Sequence, residues 1–167
     1  MTDMLAAAPG IQPGFVQRLV LEFARARDFV SRLPQPILDL AFRIGIASVF
    51  FKSGLVKIGN WPTTLLLFRD EYRVPFLPFE LAAPLAAAAE LTCPVLLVLG
   101  LATRASAAAL LGMTAVIQVF VYPQNWSEHL IWAALLAHIL ARGPGWLSLD
   151  YLVARRFSRI SNSGGLS

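Results

Sequence analysis

From position 37 onward the chain alternates long apolar runs with short polar or proline and glycine breaks, and the run lengths are those of bilayer-spanning helices. Ile37 to Val56 forms the first run, after the break at Pro34 and Pro36 and before Lys57 and Trp61. A second extends from about Leu81 to Leu101, introduced by Pro75 and Pro78 and stopped by Gly100 and Arg104. The third, Ala105 to Tyr122, follows a very tight turn and ends at Pro123, with Tyr122 and Trp126 where an interfacial aromatic belt belongs. The fourth, Glu128 to Arg142, is short. At about 1.5 Å per residue it covers only ~22 Å of a hydrocarbon layer near ~30 Å thick, so it must tilt little, snorkel Arg142 or continue towards Leu147.

Gly14 to Leu33 has a different rhythm. Phe15, Leu19, Phe23, Ala26, Val30 and Leu33 recur at helical spacing, and Gln17, Arg18, Glu22, Arg25, Asp28 and Arg32 occupy the polar positions. This predicts an amphipathic helix on the membrane surface, with a cytoplasmic helix packed on a partner as the alternative. Leu5 to Ala8 is too short to be the core of a cleavable signal peptide.

Composition supports lipid as the solvent. Of 167 residues 57% are hydrophobic and 14% charged, more apolar surface than a soluble core of this size can hide. The isoelectric point near 9.8 and net charge of +4 suggest nucleic acid at first sight, but the basic residues flank apolar runs and are not interleaved with aromatics. Membrane topology accounts for them, and no nucleic-acid partner is expected. With the N terminus cytoplasmic, that side collects Arg18, Arg25, Arg27, Arg32, Arg104, Arg142, Arg155, Arg156 and Arg159, against Lys57, Arg69 and Arg73 outside. Both termini are therefore expected in the cytoplasm, with a long external loop from about Asn60 to Glu80. Cys93 is the one cysteine, which excludes an intrachain disulfide and a multi-thiolate metal site.

Ionisable groups at bilayer depth are costly unless paired or hydrated, so Arg43, Glu90 and His138 are the candidate site residues. Counted from the external helix ends, their backbones lie about 20, 13 and 15 Å deep, a shared layer near the midplane. Asp39, one turn before Arg43, can pair with it. Read as a site, Glu90 accepts and releases a proton, Arg43 supports its charge, and His138 is a second proton carrier or a donor to a quinone carbonyl. Read as a clasp, the layer only fixes helix register. Lys52 lies on another helical face near the external end, where snorkelling explains it, and Gln118 reads as a helix-to-helix hydrogen bond. Cys93 reads as a small buried residue, and the nine-residue spacing of His129 and His138 puts them on opposite faces, which argues against a haem pair.

Phe50-Phe51-Lys52-Ser53-Gly54-Leu55-Val56-Lys57 after Arg43, then Glu90, then Leu99-Gly100-Leu101-Ala102-Thr103-Arg104, and finally Gly143-Pro144-Gly145-Trp146-Leu147-Ser148-Leu149-Asp150, resemble the DoxX family of small bacterial membrane proteins. The resemblance covers about residues 36 to 152, and Glu71-Tyr72-Arg73-Val74-Pro75 is similar to the loop of DoxX-like members found near genes for modified metal-binding peptides. It implies a four-helix inner-membrane protein, related to the small subunit of a thiosulfate:quinone oxidoreductase and associated elsewhere with redox or metal stress.

The expected organisation is thus all-α: an interfacial N-terminal helix over 1–35, a four-helix transmembrane bundle over 36–152 and a basic cytoplasmic tail over 153–167. The expected function is a membrane subunit of a redox or metal/sulfur stress-response system in the bacterial inner membrane. Quinone is the candidate ligand, and the expected partners are the lipid bilayer, a soluble redox or metal-peptide maturation protein, and a second copy of the chain. A small-solute transport module and a non-catalytic anchor are the alternatives. Small residues four apart, such as Ala41 with Gly45 and Ala108 with Gly112, would allow close helix approach.

Overall fold

The structure, a computed structural model, describes residues 14–31, 34–75, 77–153 and 155–156. Among these residues every regular element is helical. The chain divides into two compact units, Met1–Pro34 and Gln35–Ser167.

In the first unit, α1 spans Phe15–Ser31. The Gly14 amide donates to Gln17 Oε1 at 3.2 Å, and Arg25 pairs with Glu22 at 2.8 Å, one turn apart on an exposed face. Phe15 and Phe23 are also exposed. Arg32 and Leu33, expected in the last turn, lie outside the described residues, as does most of the expected tail from 153 on.

The second unit holds α2 (Gln35–Gly59), α3 (Trp61–Leu67), α4 (Phe79–Leu99), α5 (Thr103–Val116) and α6 (Trp126–Arg142). Each expected apolar run is largely helical: all four helices start two residues earlier than expected, α2 ends three residues later, α4 ends at Leu99 rather than Leu101, and the third run ends at Val121 rather than Tyr122. Helix α2 packs along α4, α4 on α5, α5 on α6, and α6 returns to α2. Ile46, Phe50, Leu97, Leu110, Leu136 and Ile139 meet between them and are almost fully buried. Where lipid surrounds the helices there is little hydrophobic drive between them, so this interdigitation acts through van der Waals contact. Two helical stretches, Phe79–Leu99 and Thr103–Val121, are long and apolar enough to cross a membrane. Helix α2 has 25 residues but includes Asp39, Arg43, Lys52 and Lys57, and α6 has 17.

The expected external loop from Asn60 to Glu80 is largely helical instead. Asn60 caps α3, its Oδ1 accepting from the Thr63 amide at 3.2 Å, and Pro62 presets the first turn. The chain then widens into a π-helical turn, Phe68–Tyr72, which ends at Arg73 in the left-handed region. Phe68 packs with Ala82 and Ala83 of α4, so this segment roofs the α2–α4 pair at the end where α2 stops and α4 starts. A second π-helical turn, Ile117–Val121, closes α5. Such widened turns let one backbone segment shift a side chain off the ordinary helical face.

At the opposite end, residues 143–150 fold back across the helix ends. Gly100 ends α4 with φ 68, and a Cβ there would collide with Ser148 and Arg43, so the position demands glycine on conformational and steric grounds alike. Asp150 accepts from the amides of Ala102 (2.9 Å) and Thr103 (3.1 Å) and from the Thr103 hydroxyl (3.2 Å). It thereby caps the N-terminus of α5 from 47 residues away in sequence. Ser148 Oγ accepts from the Tyr151 amide and starts the final helical turn in the same manner.

Candidate functional site

Lys57 stands two residues before the end of α2, a position where an ammonium ordinarily reaches water. Here the roof formed by α3 prevents it. Thr64, buried, donates its hydroxyl to the Lys57 carbonyl at 2.9 Å, and the Lys57 side chain is only 15% exposed. Its Nζ turns inward to Ser53 Oγ at 2.9 Å, one turn back on the same helix, and to Glu90 Oε1 at 2.8 Å on α4. Glu90 Oε2 is 2.7 Å from the same nitrogen, but at an angle that makes no hydrogen bond, and it is left buried without one. The Ser53 hydroxyl adds a weak contact to Oε1 at 3.3 Å. Two opposite charges removed from water thus satisfy each other at close range, the condition under which a buried pair is tolerated.

Gly54 makes this possible. A Cβ there would stand 2.9 Å from the Leu91 side chain and 3.1 Å from Glu90 Cβ, so only glycine lets α2 and α4 approach closely enough for the pair. The Ser-Gly-x-x-Lys sequence is therefore a local device: a spacer flanked by the two residues that grip Glu90.

Glu90, Lys57 and Ser53 line a cavity of about 440 Å³. Phe50, Phe68, Tyr72, Met113, Val116 and Trp132 are among its apolar and aromatic walls. His129, at the start of α6, is also buried and lines it. His129 Nδ1 lies 2.6 Å from Gln118 Oε1, and Gln118 Nε2 donates to the Pro123 carbonyl at 2.7 Å. At the outer rim the Tyr122 hydroxyl donates to Glu71 Oε1 at 2.8 Å, joining the two π-helical turns, while Tyr72 and Tyr122 meet edge to face.

Of the three residues expected to share one layer, Glu90 is in this cavity and the other two are not among its walls. Arg43 is fully buried nearer the far end of α4, where Nη2 donates to the Leu147 carbonyl at 2.6 Å and Nη1 to the Leu97 carbonyl at 3.3 Å. A cation there meets the negative end of α4, where the Leu97 carbonyl also accepts from the Gly100 amide, and ties in the fold-back through Leu147. The expected Arg43 to Glu90 pair is absent because the antiparallel register sets Gly54, not Arg43, opposite Glu90. Eleven helical residues separate those two positions, about 16 Å along α2. His138 Nε2 is 3.4 Å from Asp39 Oδ1 and rests edge-on to Phe42, joining α6 to α2. Asp39 was expected beside Arg43; it lies in the electrostatic field of that residue, but its side-chain contact is to His138. Gln118 makes the helix-to-helix bond expected of it, and Lys52 is exposed.

Sequence reasoning missed Lys57, Ser53 and His129 as site residues. Lys57 was hidden by its place near a helix end, since the roof that buries it was read as a loop. The available signal was the four-residue spacing of Ser53 and Lys57 around Gly54, which puts both on the face that must meet α4.

The second unit is a set of packed helices around a buried ion pair, and two of its helical stretches are long and apolar enough to cross a membrane. The DoxX family model matches residues 38–123, and the chain belongs to the DoxX family of membrane proteins. It is similar to an uncharacterized protein of Haemophilus influenzae, 31% identical over 131 residues, which takes in 70% of this chain and 83% of that protein. No solved structure matches the chain significantly.

Proposed function

We propose that the chain is the membrane subunit of a redox or metal/sulfur stress-response system and that its cavity holds the head of a quinone-like molecule. The observation that carries this reading is the Lys57–Glu90–Ser53 cluster set into an otherwise apolar and aromatic cavity. Small-molecule sites have this composition, with volumes of roughly 300–1,000 Å³ and a few placed polar groups. Quinone chemistry couples electron transfer to proton transfer, and Glu90 is the group placed to exchange the proton. Lys57 and Ser53 orient its carboxyl, and electrons would come from a soluble partner. On this reading Arg43 and His138 hold the helices in register and take no part in the chemistry.

The proposed topology has α2, α4, α5 and α6 each crossing the bacterial inner membrane as a four-helix bundle, with α1 on the cytoplasmic surface and both termini cytoplasmic. The excess of arginine on that side supports it. Reporter fusions after Arg104 and after Arg159 should read as cytoplasmic, and fusions near Asp70 and Trp126 as external. An external C terminus would remove α6 from the set of spans.

The ligand test is quinone content after purification in native lipid. A near-stoichiometric amount in the wild type, lost in Glu90→Gln, supports the reading. None retained, together with no quenching of tryptophan fluorescence by an added short-chain quinone or quinol, overturns it.

A further inference from the structure

We infer that His129 is fixed as a hydrogen-bond acceptor in the cavity, which therefore selects a ligand presenting a hydroxyl and favours a quinol over the corresponding quinone. The identity of the ligand as a quinol rests on the function proposed above; the direction of the hydrogen bond does not.

The polarity follows from one carbonyl. Pro123 O can only accept, so the amide nitrogen of Gln118 is the atom that faces it, at 2.7 Å. The amide oxygen must then face His129 Nδ1, 2.6 Å away, and that oxygen can only accept. The proton of the neutral imidazole is consequently on Nδ1, and Nε2 holds a lone pair. Among the described residues Nε2 has no hydrogen-bond partner. Neither is it one of the sealed polar atoms, Arg43 Nε and Glu90 Oε2, so it is open on the cavity that its ring lines.

The remaining polar groups point the same way. Lys57 Nζ donates to Ser53 Oγ and to Glu90 Oε1, and Glu90 Oε2 lies 2.7 Å from it. The Tyr122 hydroxyl is committed to Glu71. Glu90 Oε2 is sealed away, and of these groups His129 Nε2 is the acceptor left open to a ligand. A quinol brings a phenolic O–H donor to that nitrogen, whereas a quinone brings only carbonyl lone pairs. Phe50 and Trp132, in edge contact at 5.5 Å, supply ring surface beside it.

The test measures binding to the full-length protein in lipid nanodiscs by tryptophan quenching, under anaerobic conditions. Decylubiquinol is compared with decylubiquinone, and para-heptylphenol with para-heptylanisole, its methyl ether, a redox-inert pair that differs only in the donor. The wild type should bind the hydroxyl member of each pair about ten-fold or more tightly, the scale of one well-placed hydrogen bond against a facing lone pair. His129→Phe should erase both preferences, and Gln118→Met, which releases the tautomer without touching the ligand, should reduce them to about three-fold or less. Equal binding of phenol and anisole by the wild type, or a preference that survives His129→Phe, overturns the inference. Should His129→Phe fail to fold, the wild-type comparison and Gln118→Met decide it. If neither quinol nor quinone binds while phenol still exceeds anisole, the quinone reading falls and the acceptor role of His129 stands.

Discussion

Gly54 and Glu90 face each other across α2 and α4 so closely that a Cβ on the glycine would come within 3.1 Å of the Glu90 Cβ. Helix α2 has other glycines, Gly45 and Gly59, where an added Cβ would meet nothing within 4 Å. The missing side chain therefore matters at the level of the ion pair, and nowhere else along α2.

Gly54→Ala should disturb the pair while Gly45→Ala should not. The Leu91 side chain can rotate away from a new methyl, but the Glu90 Cβ is fixed to the α4 backbone and must retreat. Overpacking of this kind costs ~1–3 kcal/mol. Gly45→Ala, in open space, should be neutral or stabilise by about 0.5–1 kcal/mol through helix propensity. Thermal unfolding in detergent of both variants checks this, and equal losses would mean that the close approach at Gly54 carries no special weight.

A double-mutant cycle on Lys57 and Glu90 separates the pair from its parts. Lys57→Met leaves a buried carboxylate without its counter-charge and should cost about 3–5 kcal/mol. Glu90→Gln keeps an oxygen acceptor facing the ammonium and should cost less. The double variant should recover at least half of the Lys57→Met loss, because no charge is then stranded. Ligand binding should stay lost in the double variant. Strictly additive losses would show that the two side chains do not depend on each other.

Much of the fold was legible because the punctuation is strong. Pro34 before α2 and Pro36 in its first turn, Pro78 before α4, Gly100 after it and Pro123 after the turn that closes α5 mark the helix boundaries. Helix α3 was not legible in the same way. Trp61 and Pro62 also suit an interfacial loop, and the helix depends on the Asn60 cap and on packing of Phe68 against α4. That one element decided the site. By covering Lys57 it turned a residue expected at the membrane surface into the partner of Glu90. Depth counting placed Glu90, Arg43 and His138 in one layer because it treats helices as independent rods. Register between helices comes from side-chain packing, and at Gly54 a hydrogen atom set it.

The C-terminal fold-back should be sensitive to acid through Asp150. Burial works against its ionisation, yet the Thr103 and Ala102 amides and the Thr103 hydroxyl outweigh this and hold its carboxyl below the usual aspartate range. With the folded value depressed, the stabilisation is fully present above the unfolded value near ~4 and is lost as pH falls through the folded one. The thermal midpoint should therefore be level between about pH 7 and 5 and drop below about pH 4. Asp150→Asn should lower it at neutral pH by the equivalent of about 1–2 kcal/mol, the scale of a lost helix cap, and flatten the acid limb. An unchanged acid limb in Asp150→Asn would assign the effect to other carboxylates.

The last prediction sets Arg43 against Glu90, the two residues that sequence placed together and the structure holds apart. Arg43 ties α2 to the Leu97 carbonyl of α4 and to the Leu147 carbonyl of the fold-back, with no oxygen of Glu90 in reach. Arg43→Met removes the cation and both hydrogen bonds while keeping most of the buried stem, so its cost should fall on stability, about 2–4 kcal/mol. Quinol affinity of the folded fraction should stay within about two-fold of wild type, because the cavity walls are untouched. Glu90→Gln should behave in the opposite way, accumulating in the membrane near normally while losing ligand and in vivo function. Membrane abundance, unfolding temperature and quinol binding measured together on the two variants distinguish a clasp from a site. A stable Arg43→Met protein that no longer binds quinol would return Arg43 to the site and undo the division of roles drawn from the geometry.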